Sequence, residues 1–342
     1  MKNIGRFLSG FEVAVEAAFD AGAKMMYGYP ITPTTEIFSE WIRRGNKHLQ
    51  TEDEIAAGFA VCGGVMAGEK TFTATAGPGH ILMQDALSMA EGMRLPFVAI
   101  IGQRGGPSSG TVIYSQQEVT LACFGGNGEG LRLVFSPSNL AELYNLTRKA
   151  FNAAWQYRFP AIVLTDGYLL KSRGVFVKSE ESIENVAAEP LIGAGEIKHW
   201  RNIYTMEEEL CEEVLKMKNA YDVLSPKVAA AEVYKTEDAE ILLAGHGIVG
   251  ATAKEAVDKL RDAGVKAGMF RPVTLRPLAV DLLNKAAGKA KKIIVVESSL
   301  GQLARILRAE IAEDIIAKFE YLQKPAMGIE TEEIAEYVIS RI

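Results

Sequence analysis

Five short apolar or β-branched runs recur through the first half of the chain: Met25–Tyr29, Thr71–Thr75, Phe97–Ile101, Leu131–Phe135 and Ala161–Leu164. Stretches of helical periodicity lie around and between them, at Phe11–Ala21, Thr35–Arg43, Glu54–Ala67, His80–Glu91 and Asn139–Gln156. A strand that reads apolar on both faces must be covered on both, and parallel strands need a long crossover, which a helix supplies. The alternation therefore predicts an α/β fold whose parallel sheet is clad by helices on both faces. The pattern fades after Lys171; residues 178–237 are richer in charge, show no clear strand and read as a linker with one helix around Met206–Met217. Alternation then resumes with strands Ile241–Ala244, Val265–Phe270 and Lys292–Val296 and helices Val249–Asp262, Ala279–Ala287 and Gln302–Ile315. Two α/β domains, residues 1–177 and 238–342, suit a chain of 342 residues.

Composition narrows the class of function. Thirty-seven basic against 43 acidic side chains leave a net charge of −6, the wrong sign for an electrostatic nucleic-acid footprint. Cys62, Cys123 and Cys211 stand far apart with no Cys-x-x-Cys, so these residues alone cannot ligate an iron–sulfur cluster or a four-cysteine zinc. No apolar run approaches the 18 or more residues of a membrane span. Glu12, Glu16 and Asp20 within a helical pattern do not fit a signal peptide. The expectation is a cytoplasmic protein with no nucleic-acid or membrane partner.

Several segments could carry chemistry. Gly245-His-Gly247-Ile-Val-Gly250 follows a strand and opens a helix, matching the dinucleotide pattern in its usual context. The next strand ends in Phe270-Arg271-Pro272 with no carboxylate for a ribose, although Arg271 would suit a 2′-phosphate; the alternative is a tight turn whose glycines permit close packing. Tyr29-Pro30-Ile31-Thr32-Pro33 joins a strand to a helix, where two prolines fix φ and where α/β ligands commonly bind. Thr51-x-x-Glu54 has capping-box spacing, yet a carboxylate there could instead turn into a cleft, where desolvation would raise its pKa. Ala76-Gly77-Pro78-Gly79-His80 reads as a turn or a ligand cradle, and His80, without a His or Asp partner at a recognisable spacing, receives no catalytic role. Arg104, in the Gly/Ser loop Gln103–Gly110, suits a substrate carboxylate but would equally be a solvated loop arginine.

Taken together, Tyr29-Pro-Ile-Thr-Pro33, Glu52-Asp-Glu-Ile-Ala-Ala57, Ala76-Gly-Pro-Gly79 and Gln103-Arg-Gly-Gly-Pro-Ser108 resemble, in order and spacing, the α subunit of 2-oxoacid:ferredoxin oxidoreductases. The resemblance extends over nearly the whole chain. It implies a pyrimidine-type thiamine diphosphate-binding domain followed by a smaller transketolase C-terminal-like α/β domain, and it favours the packing reading of Gly245–Gly250. It implies oxidative decarboxylation of a 2-oxoacid with CoA as co-substrate, giving acyl-CoA and CO2, with electrons passing to ferredoxin. In this resemblance Glu54 is the acid on the aminopyrimidine ring; a buried carboxyl there favours the imino tautomer, whose nitrogen takes the thiazolium proton. Thr32 and Arg104 match residues that hold the 2-oxoacid, and Tyr29, Pro30 and Ile31 would wall the cofactor. Pyruvate, 2-oxoglutarate, branched-chain and aryl oxoacids share the head those two residues would grip, so tail selectivity rests with pocket shape.

No Gly-Asp-Gly followed by an Asn some thirty residues on occurs in these 342 residues. The resemblance therefore implies a shared cofactor: a β subunit carrying the diphosphate and Mg2+ half-site, with γ and ferredoxin-like δ subunits and iron–sulfur clusters on the partner chains. Two competing readings stand beside it, an NADP-binding oxidoreductase using Gly245–Gly250 and a non-catalytic assembly subunit of the same fold.

Overall fold

The computed structural model describes residues 5–178, 183–192 and 201–342. The described residues form sheets of seven, five and two strands. The seven-stranded sheet runs, from one edge to the other, Thr274–Arg276, Leu133–Phe135, Ala161–Asp166, Val98–Gln103, Thr71–Thr75, Met25–Gly28 and Lys47–Gln50. All its pairings are parallel except that of Thr274–Arg276 with Leu133–Phe135.

Both faces of its central strands are buried, as their sequences require. Along Val98–Gln103, Val98 and Ile100 pack with the helices Gly10–Asp20, Thr35–Arg43 and Leu140–Tyr157. Ala99 and Ile101 point the other way, toward Glu54–Met66, Gln84–Gly92 and Val119–Phe124. After Met25–Gly28 the chain steps outward to the edge strand Lys47–Gln50, then returns to place Thr71–Thr75 on the other flank of Met25–Gly28. That reversal makes a switch point, where loops leave in opposite directions and open a crevice at the carboxyl ends of the strands.

The second sheet runs Phe319–Gln323, Lys292–Glu297, Ile241–Ala244, Ala267–Pro272 and Ala231–Tyr234, with only the last strand antiparallel. Residues 178–237 are thus not free of strands, since Ala231–Tyr234 borders this sheet. Edge strands bury little and carry a weak apolar signal; Lys47–Gln50 is exposed along its whole length. Arg6–Ser9 and Arg173–Phe176, which pair antiparallel with each other, escaped the pattern for the same reason. The linker helix runs from Glu207 to Val228, longer than Met206–Met217, and is anchored by buried Tyr221, whose hydroxyl donates to the Arg132 carbonyl at 2.6 Å. The stretches expected as His80–Glu91 and Gln302–Ile315 are each two helices, Pro78–Leu82 with Gln84–Gly92 and Gln302–Ala309 with Glu313–Ile316. Cys62 and Cys123 are buried thiols and Cys211 is an exposed one. No helix among the described residues is long and apolar enough to cross a membrane.

Candidate functional site

Three segments meet at the switch point: the loop after Met25–Gly28, the start of the helix after Lys47–Gln50, and the loop after Thr71–Thr75. In the first, the Thr34 N–H and hydroxyl both donate to the Ile31 carbonyl, at 2.8 and 2.9 Å, closing a turn that leads into Thr35–Arg43. Tyr29 is exposed, while Pro30, Ile31 and Thr32 are half-buried.

The second segment departs from the capping box that its spacing predicts. Asp53 is the N-cap, accepting the Ala56 N–H at 2.8 Å, while the Thr51 hydroxyl donates to the Asp53 carbonyl at 2.8 Å. With the cap filled two positions later than expected, Glu54 begins the helix free of that duty, and its side chain is turned into the protein, 5% exposed. Its carboxyl lies over Gly79, where a Cβ would overlap both Glu54 Oε1 and Thr75 Oγ1. Burial pushes the Glu54 pKa up, the neighbouring Asp53 charge adds to that, and Arg104 pulls against it. No cation among the described residues pairs with it as a salt bridge.

Arg104 is not the solvated loop arginine that its Gly/Ser surroundings allow. It follows directly on the central strand Val98–Gln103 and is only 6% exposed. Its Nη1 donates to the Thr32 carbonyl at 2.8 Å, tying the loop after Val98–Gln103 to the first segment. Gly77, at φ 52°, lets the arginine stem lie across it; a Cβ would stand 2.6 Å from Arg104 Nε. Arg104 thus lies near enough to Glu54 to act on its charge and is bonded to Thr32, at the end of the Tyr29–Thr32 loop.

Sequence reasoning missed what lies beneath. Glu118 Oε1 accepts the N–H of Gly77 and the N–H of Arg104, both at 2.9 Å, and its Oε2 is 2.8 Å from His80 Nδ1. Both side chains are buried, and His80 Nε2 has no partner among the described residues. A 38-residue separation offers no local signal for such a pair. Thr75 Oγ1 and Gln103 Oε1, at the ends of adjacent central strands, are likewise buried without a hydrogen-bond partner. Buried polar atoms are seldom left unpaired, and a group of them beneath a crevice is the mark of a site built to meet a ligand. Nearby, burial pushes Asp166 up to about 7 even though its carboxylate accepts the Leu169 N–H at 2.9 Å.

The glycine turn after Ile241–Ala244 is closed by residues more than a hundred positions earlier in the chain. Gln116 Nε2 donates to the His246 carbonyl at 2.9 Å, and Ser136 Oγ lies 2.9 Å from His246 Nδ1. A Cβ on Gly250 would overlap the Arg271 side chain, so the glycine serves close packing. Arg271 is bound by Glu142 and Glu232 and is not free for a 2′-phosphate. Among the described residues, no group of three or more His, Cys, Asp or Glu side chains is placed to hold a metal ion.

Comparison with known proteins bears on this geometry. Residues 16–240 match the family model described as "Pyruvate flavodoxin/ferredoxin oxidoreductase, thiamine diP-bdg", and residues 239–329 match "Pyruvate:ferredoxin oxidoreductase core domain II". Ketoisovalerate oxidoreductase subunit VorB of Methanothermobacter thermautotrophicus is 32% identical over 312 residues, covering 89% of each chain. 2-Oxoglutarate synthase subunit KorA of Methanocaldococcus jannaschii is 32% identical over 331 residues, covering 87% of this chain and 89% of that one. A solved 2-oxoglutarate:ferredoxin oxidoreductase from Magnetococcus marinus, with 2-oxoglutarate, coenzyme A and succinyl-CoA bound, superposes with a TM-score of 0.87 at 26% identity. That match covers 99% of this chain and 65% of the other.

Proposed function

This chain belongs to the pyruvate flavodoxin/ferredoxin oxidoreductase family, and from that premise we propose that it is the α subunit of a 2-oxoacid:ferredoxin oxidoreductase. The reaction is oxidative decarboxylation of a 2-oxoacid with CoA, yielding acyl-CoA and CO2 and passing electrons to ferredoxin. The observation that carries this reading is Glu54: a buried carboxyl with a raised pKa, held at a switch point near enough to Arg104 to feel its charge.

Thiamine diphosphate, when bound, supplies a carbon nucleophile for the keto carbon of the substrate. The residues present fit its pyrimidine half. Burial raises the Glu54 pKa, its carboxyl would hydrogen-bond a ring nitrogen, and Gly79 leaves that carboxyl the room a Cβ would take. Tyr29, Pro30 and Ile31 form the wall beside it. The Arg104 guanidinium pairs with the substrate carboxylate, and Thr32 offers its hydroxyl to the keto or carboxylate oxygen. The same residues do not supply a diphosphate half: no Gly-Asp-Gly occurs in the sequence, and no metal-binding group is found among the described residues. A β subunit then brings the diphosphate and Mg2+ half-site, and iron–sulfur clusters reside on partner chains, with γ and ferredoxin-like δ subunits completing the complex. We also take residues 1–177 and 238–342 as the two domains of this subunit.

Calorimetric titration of thiamine diphosphate with Mg2+ tests the shared site. Weak binding by the lone chain and tight binding once the β subunit is added are expected. Tight, magnesium-dependent, stoichiometric binding by the lone chain would refute the shared site.

A further inference from the structure

We infer that the buried segment Ser115–Glu118 is a two-sided brace through which the second domain sets the position of Arg104, so that Gln116 and Glu118 are positioning residues for the 2-oxoacid. The inference rests on the reading of Arg104 as the carboxylate's partner.

One side of the segment faces the arginine. Glu118 holds the Arg104 and Gly77 N–H groups on a single oxygen. Gln117 Oε1 accepts the Gly106 N–H at 3.2 Å, and the Thr111 N–H donates to the Gly105 carbonyl at 3.0 Å. The excursion between Gly106 and Ile113 is thereby folded back on the residues that flank Arg104.

The other side faces the carboxyl ends of the second sheet. The Gln116 amide is held at both ends, donating to the His246 carbonyl at 2.9 Å and accepting the Ser298 N–H at 3.1 Å. The Gln116 N–H and the Ser115 hydroxyl both donate to the Ser298 carbonyl at 3.2 Å. Gln302 repeats the arrangement one turn on, donating to the Gln117 carbonyl at 2.8 Å and accepting the Thr120 N–H at 3.0 Å. Ser115, Gln116, His246 and Ser298 are all fully or almost fully buried. A charged group that must meet a substrate in one geometry needs such a rigid support, because small displacements of a positioning group are costly to rate.

The test uses Gln116→Ala and the half-buried Gln302→Ala in the assembled enzyme, with Arg104→Ala alongside. Both glutamine variants are expected to raise the KM for the 2-oxoacid about tenfold, change kcat less than about twofold, and leave thiamine diphosphate affinity unchanged. Hydrogen–deuterium exchange should rise across residues 104–112 but not across strand Val98–Gln103. Wild-type KM and exchange in both glutamine variants, beside a damaged Arg104→Ala, overturn the brace alone. If Arg104→Ala itself leaves KM unchanged, the assignment of the substrate carboxylate falls, and the inference falls with it.

Discussion

The two sheets present the same kind of edge to opposite fates. Each is mainly parallel, and each gathers glycine-rich loops and helix starts at its carboxyl ends. On the first sheet, polar atoms of Thr75, Gln103 and His80 are buried at or just past the carboxyl ends of adjacent strands without partners among the described residues. On the second sheet the equivalent place is filled by residues from the loops of the first. Gln116 and Ser136 take up the His246 turn, and buried Glu297 is satisfied by the Ser299 hydroxyl and the Leu303 N–H. At the second edge His246 Nε2 is likewise without a partner among the described residues, but the His246 carbonyl and Nδ1 are both taken up by contacts that join the two sheets. A glycine motif alone does not tell these outcomes apart; the partners of the polar atoms do.

The largest effect that would sharpen this contrast lies at Glu54. In the assembled enzyme, Glu54→Gln should slow deuterium exchange at the thiazolium carbon of bound thiamine diphosphate by about 10²–10⁴, the usual contribution of a positioned acid or base. Because Asp53 and not Glu54 caps the helix, folding should be nearly unaffected. Unchanged exchange would make the first edge as structural as the filled one.

Next comes Arg104. Losing one partner of a desolvated charge pair costs roughly 2–5 kcal/mol, so Arg104→Ala should lower kcat/KM for the 2-oxoacid by about tenfold to a thousandfold. Arg104→Lys should restore only part, since an ammonium lacks the two-pronged planar donor. Burial of the side chain and its bond to Thr32 mean that the alanine variant also loses some stability, which a denaturant melt will register. Normal turnover of every 2-oxoacid tried would place the carboxylate clamp elsewhere.

The smallest effect belongs to the filled edge and concerns stability alone. Burial, reinforced by the Arg271 charge, holds His246 down at about 3, so the folded protein keeps it neutral. The unfolded imidazole titrates near ~6.5. Between those values the unfolded chain binds the extra proton, and stability is therefore full above about pH 6.5 and falls as the pH drops toward 3. Relative to His246→Gln, the parent protein should lose about 2 kcal/mol between pH 7 and pH 5. Denaturant melts of both proteins at the two pH values give the comparison, and parallel curves would mean that His246 is not confined as the structure has it.

How much of the site could be read in advance varied with the range of the interactions. Glu54, Thr32 and Tyr29–Ile31 lie in local patterns, a strand ending or a helix beginning, and those patterns put them at the carboxyl ends of the first sheet, where the structure has them. Arg104 was legible as a position but not as a state, because its burial comes from Gly77, Thr32 and Glu118, residues 14 or more places away. The Asp53 cap was hidden by an equally good capping spacing from Thr51.

What the sequence determined by itself is whatever depends on periodicity and residue type. The apolar, helix-separated runs dictate a parallel α/β sheet, the sparse cysteines and the absence of a Gly-Asp-Gly are plain in the residues themselves, and four short motifs carry the family. Only the tertiary structure decided which polar groups find partners. Thr274–Arg276 crosses back to edge the first sheet, Glu118 reaches His80, and Gln116 spans 130 residues to close the turn at His246. Those contacts are set by how packed helices and sheets bring distant segments together, and a chain read one window at a time holds no periodic trace of them.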